Sequence, residues 1–131
     1  MTTGQGHVLV VDDAAELRVL FAAILEDAGY RVTLCDSAPA VEEVAAIGPD
    51  LVVLDLLLGG DEGAAWGLVE AMRADARLQA VPVVICSAAT DLLRRLDERF
   101  AAMGIAALGK PFELEEFLAT VARLAGGSAA D

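Results

Sequence analysis

The chain has 131 residues, of which 56% are hydrophobic and 23% charged, enough for one well-packed domain and too short for two. Nine lysines and arginines against 21 aspartates and glutamates give a net charge of −12, a field that repels phosphate backbones and anionic lipid headgroups and so argues against direct nucleic-acid or membrane binding. No run approaches the roughly 20 apolar residues of a membrane-spanning helix, and residues 1–7 lack the basic start and apolar stretch of a secretory signal; a cytoplasmic protein is expected.

Residues 1–6 read as a short N-terminal tail, and the first strand follows over 7–11. Leu17, Leu20, Phe21, Ile24 and Ala28 then mark one face of a helix that Gly29 ends. A second strand over 31–35 leads to a short helix marked by Val41, Val44 and Ala45 and stopped at Gly48-Pro49. The third strand, 51–56, precedes a helix marked by Trp66, Val69 and Met72, and the fourth strand covers 81–87. Leu92, Leu93, Leu96, Phe100 and Met103 predict one continuous helix closed by Gly104. A last strand, 105–108, is diluted by alanine, and Leu114, Phe117, Leu118, Val121 and Leu124 predict the final helix, closed by Gly126-Gly127. The domain is thus expected over 7–125, with a tail over 126–131 and no output domain after it.

The first, third and fourth strands are apolar on both parities, as strands buried on both faces must be. Strand and helix alternate five times, so the strands run parallel and right-handed crossovers place helices on both faces, a doubly wound α/β fold. Cys35 and Cys86 fall within strands and have no CxxC or histidine-rich context, so they read as buried, reduced thiols.

The residues that close the strands carry the chemistry. The first strand ends in Asp12-Asp13, the third in Asp55, the fourth in Ser87 and the fifth in Lys110, the only lysine against eight arginines. Carboxyl ends of parallel strands point to one edge, where the ligand crevice of an open sheet forms. Each residue taken singly also has a plain structural use: Asp13 as a helix N-cap, Lys110 as an exposed loop charge. Together they deliver three carboxylates, a hydroxyl and an ammonium to one place. Like charges 4 Å apart repel by about 4 kcal/mol at an effective dielectric near 20, so three carboxylates call for a cation or a proton. Mg²⁺ suits the all-oxygen set, and a soft metal does not. Such a pocket fits phosphoryl transfer to Asp55, with the metal, Lys110 and Ser87 each taking one phosphoryl oxygen.

The segments VLVVDD (8–13), PDLVVLDLLL (49–58), VPVVICSA (81–88) and GKPF (109–112), at this spacing, resemble the receiver domain of a two-component response regulator, of the stand-alone, single-domain type. That resemblance implies a five-stranded flavodoxin-like (βα)5 fold with strand order 2-1-3-4-5. It implies Asp55 as acceptor of a phosphoryl group from a histidine kinase or histidine phosphotransfer protein. Asp12, Asp13 and Asp55 would hold Mg²⁺, Asp13 and Asp55 directly, with the backbone carbonyl of Leu57 as a further ligand. Ser87 and Lys110 would contact the phosphate, and the Lys110-Pro111 bond would be cis. The output would pass through contacts with a downstream protein, and the chain would be a monomer or weak dimer. It would be a phosphoacceptor that assists its own phosphorylation and slow dephosphorylation rather than an enzyme. The first-helix residues Ala14, Ala15 and Arg18 are the implied kinase-docking surface.

Three departures from the family pattern bear on function. Ala107 occupies the switch position where an aromatic ring is usual. Gly59 stands where proline is usual, with Gly60 and Gly63 beside it, so the loop is expected to be mobile and to carry activation by its own ordering. Leu57 and Ala89 cannot steer a hydrolytic water, which predicts a persistent phosphoryl group. The alternative reading is a pseudo-receiver, a protein-interaction module that works without phosphorylation. Gly59-Gly60-Asp61-Glu62 also spells the start of a diguanylate cyclase signature, but Gly63 follows where phenylalanine is needed.

Overall fold

The three strand runs that are apolar on both parities are the three that acquire a neighbour on each side. A computed structural model describes residues 6–60, 62–110 and 113–126. Five parallel strands, β1 (His7–Val11), β2 (Arg31–Cys35), β3 (Leu51–Asp55), β4 (Val83–Ser87) and β5 (Ile105–Gly109), form one sheet in the order β2-β1-β3-β4-β5. Val8 to Val11, Leu51 to Leu54 and Val83 to Ser87 are buried, whereas β2, on the sheet edge, exposes Arg31 and Leu34.

Strand parity divides the core in two. Leu9, Val11, Val52, Leu54, Val83 and Ile85 face α2 (Val41–Ile47), α3 (Gly63–Arg73), α4 (Thr90–Arg95) and α5 (Asp97–Ala102), whose Val44, Leu68, Val69, Met72, Leu93 and Phe100 are buried with them. Val8, Val10, Val53 and Val84 face α1 (Ala15–Asp27) and α6 (Leu114–Val121) through Phe21, Leu25, Phe117 and Val121. The rings of Phe21 and Phe117 lie 5.1 Å apart, joining α1 to α6. The helix is extended past α6 by a π-helical turn over Ala122–Gly126. No helix among the described residues is long and apolar enough to cross a membrane.

Glycines mark the helix ends. At the end of α1 the Gly29 N–H donates to the Glu26 carbonyl and the Tyr30 N–H to the Leu25 carbonyl, both at 3.0 Å, a Schellman turn that needs Gly29 at φ 99°. Gly48 ends α2 in the left-handed region before Pro49, as expected.

Several expectations need correction. The helix predicted to run from Leu92 to Met103 is two short helices. At Leu96 (φ −98°, ψ 6°) the backbone tightens, and its N–H is shared between the Leu92 and Leu93 carbonyls. The bend brings Phe100 onto Trp66, with ring centroids 5.4 Å apart, while Leu93 stays against the sheet. Leu20 is 50% exposed because α1 buries the stripe through Phe21 and Leu25, and Leu25 was not among the predicted positions. Leu114, at the first turn of α6, is 51% exposed, since a helical side chain there leans back past the helix start rather than onto the sheet. Cys35 is only half-buried, and burial with Glu43 and Asp36 nearby pushes its thiol pKa up. Cys86 is buried, its pKa pushed up to about 12 by burial above all, so that thiol is unreactive. The strands at 51–56, 81–87 and 105–108 shift by one or two residues at their ends. Residues 1–5, Asp61, the Pro111-Phe112 pair and residues 127–131, with the readings placed on them, lie outside the described residues.

This packing separates two apolar positions on one helix. Phe117→Ala, at a fully buried site, is expected to cost about 3–5 kcal/mol in urea unfolding, and Leu114→Ala to stay within roughly 0.5 kcal/mol of the parent.

Candidate functional site

Parallel pairing alone brings the strand-end residues together. Val11 pairs with Leu54 and Asp55 with Cys86, while Ser87 pairs with Gly109, so Asp12, Asp55, Ser87 and Lys110 all emerge at the carboxyl edge of the three central strands and β5. Asp12, Asp13 and Asp55 each offer a carboxylate oxygen, and these oxygens lie within 4.8 Å of one another. Asp12 is 2% exposed, Asp55 half-buried and Asp13 exposed.

One cation answers them. Lys110 Nζ lies 3.3 Å from Asp12 Oδ2 and 3.6 Å from Asp55 Oδ1. Its backbone N–H donates to the Ser87 carbonyl at 2.8 Å, which fixes where its side chain starts. Asp12 is held further by the Ala14 N–H on its Oδ1 at 2.9 Å. The Asp55 carboxyl is pushed above the ordinary carboxylate range. Burial is the main cause, opposed by Lys110, reinforced by Asp12, opposed by the Leu57 N–H and reinforced by Asp13. Three carboxylates against one ammonium leave the pocket short of positive charge. Its donors are all oxygen and no histidine or cysteine joins the cluster, the chemistry that suits a hard divalent cation.

Of the sequence-predicted residues, the structure brings Asp12, Asp13, Asp55 and Lys110 into one pocket. Ser87 is buried at the same edge, and its Oγ accepts the Ala89 N–H at 3.0 Å. The Leu57 carbonyl accepts the Gly60 N–H at 2.9 Å. Ala107 is exposed and lies apart, lining an open groove of about 350 Å³ with Thr90, Leu93 and Asp97. Two residues named for other roles, Gly59 in the loop and Arg18 on the implied docking surface, also bond to the pocket's aspartates, contacts not anticipated from the sequence. The Gly59 N–H donates to Asp13 Oδ2 at 3.0 Å, and Arg18 Nη1 donates to the Asp12 carbonyl at 2.8 Å. A backbone donor leaves no mark in side-chain chemistry. Arg18, however, stands early in the helix after the first strand, within reach of that strand's end, and its position could have been read.

A doubly wound sheet in the order 2-1-3-4-5 with a triad of carboxylates and one lysine at its strand ends defines a class: a flavodoxin-like α/β domain with an acidic cluster at its switch point. The family model for the response regulator receiver domain matches residues 8–122, and the chain belongs to that family. It is 32% identical over 121 residues to hybrid signal transduction histidine kinase D of Dictyostelium discoideum, covering 89% of this chain and 7% of that one. It is 36% identical over 92 residues to the DNA-binding response regulator MtrA of Mycobacterium tuberculosis, covering 70% of this chain and 38% of that one. The chain therefore spans well under half the length of these relatives. The receiver domain of sensor histidine kinase PA1611 from Pseudomonas aeruginosa superposes with a TM-score of 0.78 at 25% identity, covering 94% of this chain and 99% of that one; its structure has a magnesium ion coordinated in the active site cleft.

The raised Asp55 pKa has a definite sign. Between the ordinary carboxylate pKa and the raised one, the folded protein binds more protons than the unfolded chain, so stability falls as pH rises through that window. Asp55→Asn removes the buried charge. In metal-free protein at neutral pH it is expected to raise the melting temperature by roughly 4 °C, the scale of about 1 kcal/mol in a domain of this size. The gain should shrink as pH falls toward the ordinary carboxylate range. Calorimetric melting of the two proteins across pH 3–8 checks both points.

Proposed function

We propose that this domain is a phosphorylation switch. Asp55 accepts a phosphoryl group from the phosphohistidine of a histidine kinase or histidine phosphotransfer protein, with Mg²⁺ in the pocket, and the modified domain acts through contacts with a downstream protein. The observation that carries the reading is the meeting of Asp12, Asp13 and Asp55 within 4.8 Å, with Lys110 against two of them. The magnesium in the PA1611 neighbour and the kinase and response-regulator names of the relatives support it.

Asp13 and Asp55 would hold the ion directly with the Leu57 carbonyl, and Asp12 would complete the charge around it. Bound there, the ion supplies positive charge for the phosphoryl oxygens. The chain's own groups do the rest. An Asp55 carboxylate oxygen attacks phosphorus in line; the P–N bond to the donor imidazole breaks, and its electron pair returns to the ring nitrogen. The Lys110 ammonium is placed beside that oxygen and balances charge on one equatorial oxygen. Ser87 Oγ accepts the Ala89 N–H, so its proton is left to donate to another acceptor. The domain is a stoichiometric acceptor, not a turnover catalyst.

Mg²⁺ and a small acyl-phosphate donor are expected to add one phosphoryl group to the intact mass of the chain, and none to Asp55→Asn. An unmodified mass in a protein that binds Mg²⁺ would favour a phosphorylation-independent interaction module, a reading to which the open groove beside Ala107 lends weight. Replacing Leu57, half-buried next to the acceptor, with asparagine puts a water-orienting amide near phosphorus. The phosphoryl lifetime, followed by mass in purified protein, is expected to fall several-fold in Leu57→Asn. An unchanged lifetime would show that water steering does not limit hydrolysis here.

A further inference from the structure

The loop after Asp55 reaches back into the acidic pocket with its backbone. Gly59 donates its N–H to Asp13 Oδ2 at 3.0 Å, and Gly60 donates its N–H to the Leu57 carbonyl at 2.9 Å. The Leu57 carbonyl is an atom that the proposed function assigns to the cation, and Asp13 Oδ2 belongs to a carboxylate that it assigns there. An amide hydrogen rests about 2 Å from its acceptor, and Mg²⁺ ligates at a similar distance. An oxygen holding both carries two positive partners that repel each other. The turn and the cation therefore compete for the same groups.

The turn is also built to move. Gly59 has φ 72° and Gly60 φ 98°, conformations other residues rarely adopt, and among the described residues, chain neighbours apart, nothing lies within 4 Å of where a Cβ would stand on either. Leu58, by contrast, is buried in the core and anchors the loop's near end. Displacement is thus confined to the glycines and to the start of α3 beyond them.

An aromatic clasp ties that end of the loop to α5. Glu62 Oε1 accepts the Trp66 indole N–H at 2.7 Å. The indole stacks on Phe100 at 5.4 Å and 24°, and the Arg99 guanidinium lies over the indole, 3.9 Å from its ring centroid. Arg99 also reaches Glu70 of α3 at 3.3 Å. Phe100 and Arg99 both belong to α5, so loop and helix grip a single side chain. Among the described residues, the groove beside Ala107 is lined by no aromatic ring.

We infer that the Gly59-Gly60 turn is a built-in plug of the cation pocket, and that loading Asp13 and Leu57 releases it and pulls on α5 through Glu62 and Trp66. This rests on the proposed reading of the pocket as a Mg²⁺ site, and its readout needs no phosphoryl transfer. Trp66 is the sole tryptophan, so its emission reports this clasp alone. In the full chain, Mg²⁺ is expected to speed amide hydrogen exchange at Gly59 and Gly60 and to shift Trp66 emission, both with the midpoint of the binding heat measured by calorimetry. Glu62→Ala should bind Mg²⁺ with affinity within about twofold and keep the faster glycine exchange, while losing more than roughly half of the emission response, because the Glu62 carboxylate is the side-chain bond to the indole and the helical bond from the Trp66 backbone N–H to the Glu62 carbonyl stays in place. Binding heat with unchanged exchange at both glycines overturns the plug. An emission response as large in Glu62→Ala as in the parent overturns the route to α5. No binding heat at all overturns the cation site and this inference together.

Discussion

Three carboxylates share a space that one ammonium cannot neutralise. At separations near 4 Å each like-charged pair costs on the order of 4 kcal/mol at an effective dielectric of about 20, and Lys110 at 3.3 and 3.6 Å from two of them returns only part of that. The imbalance shows in Asp55, whose pKa is raised by burial despite the lysine and the Leu57 N–H beside it. Nothing in packing requires acids there. A carboxylate whose charged form is disfavoured by burial, crowded by two more acids at a strand edge, is a common mark of a functional site.

The fold makes that crowding unavoidable. Strands β1 and β3 are adjacent and parallel, with Val11 opposite Leu54, so the residues one position further along emerge side by side. Strand β4 adds Ser87 and β5 adds Lys110, tied to Ser87 by a backbone hydrogen bond that holds the lysine at the edge of the sheet. The apolar halves of the same strands are buried on both faces, which stops the edge from adjusting. Core and site are thus two ends of the same strands, β1, β3 and β4, with β5 adding the lysine: the valines and leucines hold the register, and the register holds the charges.

How much of this could be read beforehand depends on the kind of signal. Two-sided burial of β1, β3 and β4 was plain from unbroken apolar runs, and the acids were legible because parallel topology sends every strand end to one side. Gly29 and Gly48 marked helix ends as expected because the left-handed turn they supply is local. The bend at Leu96 was not legible, since its periodicity continues through it and only the fit of Phe100 to Trp66 breaks the helix. Leu20 misled for a related reason: an apolar residue beside the buried stripe looks like part of it until the neighbouring helix is in place. The Gly59 hydrogen bond was invisible for a deeper reason, because the donor is the backbone and the acceptor lies 46 residues away.

Ala107 and Gly59 acquire meaning together. At Ala107 the chain leaves an open groove beside α4, lined by Thr90, Leu93 and Asp97, because that position of β5 carries only a methyl group. At Gly59 it supplies an N–H, which a proline could not, and directs it onto an acid of the pocket. If the pocket holds a cation as proposed, the link to the helices falls on the β3–α3 loop, where the Gly59 N–H meets Asp13. The loop after β3 thus touches both the acidic pocket, through the Gly59 N–H on Asp13, and the aromatic pair shared with α5, through Glu62 on the Trp66 indole.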